Sequence, residues 1–244
     1  MRPILLMMIS LNAALYAGIG YLTFLGIFAP IMGVVRFWGI AVVIPAIFAA
    51  LFGPLVGGLG AAIGIFISDM IIHGNALLSI TVGVPANFVM FYLIGWIIKN
   101  PKKDIFLRIT TILGSIIIGA IFLIGWIIGS DQSLIMAIIF LSFGILCIIS
   151  LSLFEKYWPR WKIFALASIV GNGIGSAIVG LGVWAFSKFF VLPATLGHDL
   201  PFITSIIWFT WTFSNQMPFL LLLCPPILKV CYKIFPEIIT QHFS

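Results

Sequence analysis

Apolar residues run through this chain in long, nearly uninterrupted blocks, separated by short clusters of Gly, Pro, Asn and charge. Neither strand-like alternation nor a narrow amphipathic stripe organises them. Blocks of that kind predict membrane-spanning helices, because about 20 residues rising 1.5 Å each cross a hydrocarbon core about 30 Å thick. Windows of about 19 residues place eight such helices, at 4–28, 37–52, 55–72, 80–98, 105–128, 134–153, 163–186 and 203–223. The expected fold class is therefore all-α, a polytopic transmembrane helix bundle, with residues 1–244 forming a single integral membrane domain.

Composition agrees: 63% of residues are hydrophobic, 7% are charged, and the mean hydropathy is +1.29. A soluble domain of this size would expose apolar surface on every side. The opening Met1-Arg2-Pro3 is followed by an apolar run that continues to Phe28 with no cleavage-like segment, so it reads as the first span and not as a signal peptide. Placing the N-terminus in the cytoplasm leaves only Arg36 and Lys188 outside, and ten of the twelve Lys and Arg residues then lie inside. Both termini are expected to be cytoplasmic, in the cell membrane. That distribution accounts for the net charge of +6, and the separated basic clusters form no face for nucleic acid. Cys147, Cys224 and Cys231 give neither a disulfide framework nor a metal spacing. With no soluble domain there is no nucleotide-binding machinery, so energy for any transport must come from a partner or an ion gradient.

Between the second and third blocks stands only Phe52-Gly53-Pro54. Gly53 can take a left-handed conformation that ends one helix, and Pro54 suits the first turn of the next. A hairpin within the bilayer is expected, its first arm about 24 Å long and anchored at its far end by Arg36 and Trp38. The pattern Val34-Val35-Arg36-Phe37, Ile44-Pro45-Ala46, Leu51-Phe52-Gly53-Pro54-Leu55-Val56-Gly57-Gly58 and Ile67-Ser68-Asp69 resembles the second and third helices of S components, the substrate-binding subunits of energy-coupling factor transporters. The resemblance runs from Ala13 through the fourth span. It implies a subunit that is no enzyme itself, needs no cofactor, and captures a water-soluble vitamin or related micronutrient from outside. Its partners would be a transmembrane T component and two ATPase subunits that hydrolyse ATP. The family usually has six helices, so a six-helix core within the eight is implied, with the loop at 31–36 as a lid. In the same family a small-residue pair on the first helix docks on the T component, and Ala13-Ala14-Leu15-Tyr16-Ala17 matches that motif through Ala13 and Ala17. The alternative for this pair is close packing within the chain.

Polar groups collect at the outer ends of the spans: Arg36, then Asp69, His73 and Asn75, then Asn87. Ionisable residues at membrane depth are functional candidates. Arg36 and Asp69 can either touch a ligand or clamp the outer end of the hairpin by pairing with each other. Asp131, Gln132 and Asp199 suit ordinary surface solvation. On the last span Trp208, Trp211, Asn215 and Phe219 share one helical face, where indoles can stack on a flat ring and an amide can orient it. The candidate substrate-binding set is thus Arg36, Asp69, Asn87, Trp208, Trp211 and Asn215. Gln216 lies deep and needs a partner, Pro218 is expected to bend the span, and Gly171-Asn172-Gly173 either packs closely or breaks its helix. No metal site, HExxH or GxSxG is present. A stand-alone secondary transporter or channel for a small solute is the rival reading. A lipid-modifying enzyme lacks a catalytic constellation.

Overall fold

The computed structural model describes residues 3–25, 38–100, 156–193 and 197–234, with isolated positions between 138 and 154. Among these the secondary structure is helical, with no strand: α1 Pro3–Leu25, α2 Val43–Phe52, α3 Pro54–Ile72, α4 Ala76–Lys99, α5 Pro159–Ser187, α6 Ile203–Leu222 and α7 Cys224–Ile234. Five segments are long and apolar enough to cross a membrane, the last of them taking α6 and α7 together. The chain is an all-α polytopic bundle. The span expected at 105–128 and nearly all of that at 134–153 lie outside the described residues, as do Arg36, Asp131 and Gln132.

Each long helix packs on the next, α1 on α3, α3 on α4, α4 on α5 and α5 on α6, while α2 sits among α1, α3, α4, α6 and α7. The second span departs from expectation. Residues 39–42 form turns, and helix begins only at Val43. Pro45 lies in the first turn, where its missing N–H leaves no helical bond unmade. Before it, Gly39 presses so closely on the Asn215 carbonyl and the Phe219 ring of α6 that no side chain would fit. The ten residues of α2 reach about 15 Å, half a hydrocarbon core. Every residue of α2 is apolar and nearly all are buried, as befits a helix enclosed on all sides.

The hairpin turn forms as expected at Gly53, with φ of 98° and ψ of −180°, a positive-φ region outside the left-handed helical basin. Its N–H bonds the Ala49 carbonyl at 3.0 Å, and Pro54 opens α3. Lys99, in the last turn of α4, lies against this turn.

The approach of α1 to α3 depends on missing side chains. Gly60 makes room for Asn12, whose amide donates to the Val56 carbonyl at 2.9 Å, and Gly64 makes room for the Ala13 carbonyl and Tyr16. Ala13 and Ala17 are consequently 3% and 6% exposed. They pack inside the chain and offer no open docking face, which corrects the partner-docking expectation. Gly171-Asn172-Gly173 likewise serves packing: α5 runs through it unbroken, and Asn172 donates to the Phe213 carbonyl of α6 at 3.1 Å. Pro218 does not end α6. The sequence reading missed α7 as a separate helix. It follows Leu223, carries Pro225 and Pro226 in its first turn, and stacks Tyr232 on Trp161 with ring centroids 6.3 Å apart.

Candidate functional site

At the end of the bundle where α1 and α3 finish and α4 and α6 begin, the helices line a half-open cavity of about 440 Å³. Tyr16 of α1 and Trp38 before α2 form one side, Asp69 and His73 follow from α3, and Val82, Gly83 and Asn87 come from α4. Val179 and Val183 of α5 lead round to Trp208, Trp211, Thr212, Asn215 and Gln216 of α6.

The carboxylate is held by its own neighbourhood. Asp69 is 6% exposed, and its Oδ2 accepts a 2.7 Å hydrogen bond from Ser79 Oγ. Ser79 opens a π-helical turn, Ser79–Gly83, within α4. Such widened turns often occur at functional sites. Gly83 closes it, and a side chain there would come within 2.9 Å of Asp69 Oδ2. His73 Nδ1 accepts from the Asn75 backbone N–H at 3.0 Å, which puts the proton of a neutral ring on Nε2, 3.5 Å from Asp69 Oδ1.

A second network crosses from α1 to α4. Tyr16 donates its hydroxyl proton to Asn87 Oδ1 at 2.6 Å, and Asn87 Nδ2 donates to the Gly83 carbonyl at 2.9 Å. The Tyr16 ring packs against Trp38 at a centroid distance of 5.6 Å and edge-on to Phe91 at 6.0 Å. The Trp38 indole lies tight against α1 because residue 20 is glycine. On α6, Asn215 Nδ2 donates to the Trp211 carbonyl at 2.7 Å, while Asn215 Oδ1 and Gln216 Oε1 have no hydrogen-bond partner.

Five of the six expected binding residues, Asp69, Asn87, Trp208, Trp211 and Asn215, thus line one cavity although they come from three helices. The sixth, Arg36, lies outside the described residues. Ala13 and Ala17 are not on the wall. Sequence reading missed Tyr16 and Trp38 as site residues. The available signal was a phenol in the middle of an apolar helix, since a buried tyrosine hydroxyl needs a partner. His198 and Asp199 stand apart from the cavity in the loop before α6, where Asp199 pairs with Lys188 and the bond holds its carboxyl below the usual carboxylate range. Among the described residues no group of three His, Cys, Asp or Glu could hold a metal ion. The arrangement can bind a small molecule between aromatic and aliphatic walls and orient it with a few polar groups. No family model, curated protein or solved structure matches this chain.

Proposed function

We propose that this chain is the substrate-binding subunit of an ATP-driven energy-coupling factor importer, capturing a water-soluble vitamin or related micronutrient. One observation carries the reading: polar and aromatic residues from separate helices converge on a single cavity of about 440 Å³ inside an apolar bundle. That volume falls within the range of about 300–1,000 Å³ typical of small-molecule sites. The Gly53-Pro54 hairpin supports it independently. In this reading the cavity end faces outward, both termini are cytoplasmic, and a T component with two ATPases supplies the energy.

Coupling then uses a different face of α1 from the one the motif suggested. Ser10, Ala14 and Gly18 recur every fourth residue on its exposed side, and no atom lies within 4 Å of the open side of Gly18. Small residues at that spacing let a partner helix approach closely in lipid. The test is co-expression with a T component and two ATPases, followed by uptake assays in energised and ATP-depleted vesicles. Uptake should require ATP, and Ala14→Trp should abolish it while solute binding by the isolated subunit persists. The buried Asp69 favours one rival, an ion-coupled secondary transporter. Uptake that survives ATP depletion and collapses with an uncoupler would replace the importer reading by that one.

A further inference from the structure

The last helix reaches past the span that carries it. Ile203–Ile234 forms one apolar segment of 32 residues, about 48 Å long, against a hydrocarbon core of about 30 Å. The 20 residues of α6 alone match that core, so α7 lies at its edge, beyond the end of α6 that points away from the cavity. The aromatic rings beside it mark the same depth. Tyr232 stacks on Trp161 in the first turn of α5, and just ahead of that turn Tyr157 and Trp158 are more than half exposed. Exposed phenol and indole rings at the end of a span are the pattern of the headgroup level, where an apolar ring and its polar tip are both accommodated.

The sequence of α7 divides it into three faces at 3.6 residues per turn. Cys224, Pro225 and Leu228 are buried where α7 packs on α6 and α2. Ile227, Val230 and Ile234, three and four residues apart, make an exposed apolar stripe, and Lys229 and Lys233, four apart, make an exposed basic one. Immersed in hydrocarbon the helix would desolvate its lysines, and immersed in water it would expose its apolar stripe. Lying in the interface satisfies both. Charge then selects the headgroup. Over 155–162 and 224–237 the chain carries Lys156, Arg160, Lys162, Lys229 and Lys233 against Glu155 and Glu237, both acidic residues lying outside the described ones. We infer that α7 is an interfacial helix whose Lys229 and Lys233 recruit acidic phospholipid headgroups while Ile227, Val230 and Ile234 rest on the acyl chains.

The test reads which lipid stands next to α7. A genetically encoded fluorescent amino acid replaces Val230 in the full chain, or, as a control, the exposed Leu22 at the other end of the bundle. Each protein is reconstituted in vesicles of equal parts phosphatidylcholine and phosphatidylglycerol, with brominated, quenching acyl chains on one lipid or the other. At position 230 the brominated phosphatidylglycerol should quench more strongly, corresponding to a local enrichment of about twofold or more, within the roughly fivefold that one lysine contributes near an acidic surface. At position 22 the two lipids should quench equally. The double substitution Lys229→Gln, Lys233→Gln should abolish the enrichment while quenching by both lipids persists. Salt at about 1 M, where the Debye length is about 3 Å, should do the same on the unsubstituted chain, and it decides the matter if the double variant fails to fold. Equal quenching at position 230, an enrichment that survives both treatments, or the same enrichment at position 22 would each overturn the headgroup assignment. Quenching by neither lipid would overturn the interfacial placement itself, the result expected if α7 stands in water or is covered by a second copy of the chain or by another protein.

Discussion

At the scale of single residues, the site combines groups that bind with groups whose work is to leave space. Trp211 and Asn215 are of the first kind, an indole and an amide side chain of one helix that line the cavity. Trp211→Ala should weaken binding of the captured solute by about 1–3 kcal/mol, roughly 5- to 150-fold in Kd, measured by calorimetry on the isolated subunit. Gly64 is of the second kind. A Cβ there would stand 2.8 Å from the Ala13 carbonyl oxygen, a backbone atom with no rotamer to escape into. Gly64→Val should therefore destabilise the protein by about 1–3 kcal/mol, read as a lowered thermal unfolding midpoint in detergent. Sequence alone pointed to Asp69, Asn87 and the α6 face because polar groups stand out against apolar spans. It did not point to Tyr16 and Trp38, whose roles arise from distances across the bundle, 2.6 Å from Tyr16 to Asn87 and 5.6 Å between the two rings. The same limit explains Ala13 and Ala17. A small-residue spacing says that something comes close, and only the fold says that α3 is what comes close.

Elements were legible where hydrophobic length speaks and less so where turns decide. The starts and ends of α3 and α6 fall within a residue of those expected at 55–72 and 203–223, because Gly53-Pro54 and Pro201 punctuate them. The start of α2 was misplaced since the five residues before Val43 are as apolar as the helix itself, and only Pro45 distinguishes the first turn. The turn at Gly53 uses a conformation that side chains rarely adopt and is crowded by Lys99. Gly53→Ala should cost about 1–3 kcal/mol in stability, seen as a lowered unfolding midpoint and reduced yield of monodisperse protein. The segment after α5 behaves differently because it is held by charge. Lys188 bonds the exposed Asp199, and that bond lowers the carboxyl pKa. Its stabilising contribution is complete above the ordinary carboxylate pKa and is lost as pH falls through the lowered folded value. Acidification into that window should lower the protection factors, measured against the intrinsic exchange rate at each pH, of the Asp199 and Leu200 amides, which bond Ser187. Lys188→Ala should remove the pH dependence.

For the molecule as a whole, the orientation proposed above rests on the distribution of basic residues. Reporter fusions after Asn100 and after Ile234 should both give cytoplasmic signals, and an external signal at either would reverse the assignment of the cavity to the outer face. The all-α architecture was readable from apolar run lengths alone, while the site depends on which helix ends the packing brings together. The position of the cavity beside the start of α2 has a thermodynamic consequence. Trp38, just ahead of the helix, is on the cavity wall, and Gly39 packs on the Asn215 carbonyl, so the residues that lead into α2 adjoin the cavity. A solute filling it would add packing contacts to those walls, joining helices that come from separate parts of the chain. Occupancy and folding are then linked: at a free concentration of 100 Kd a solute would add about 2.7 kcal/mol to stability. The unfolding midpoint, followed across a library of small molecules, becomes a direct readout of which one the bundle was shaped to be completed by.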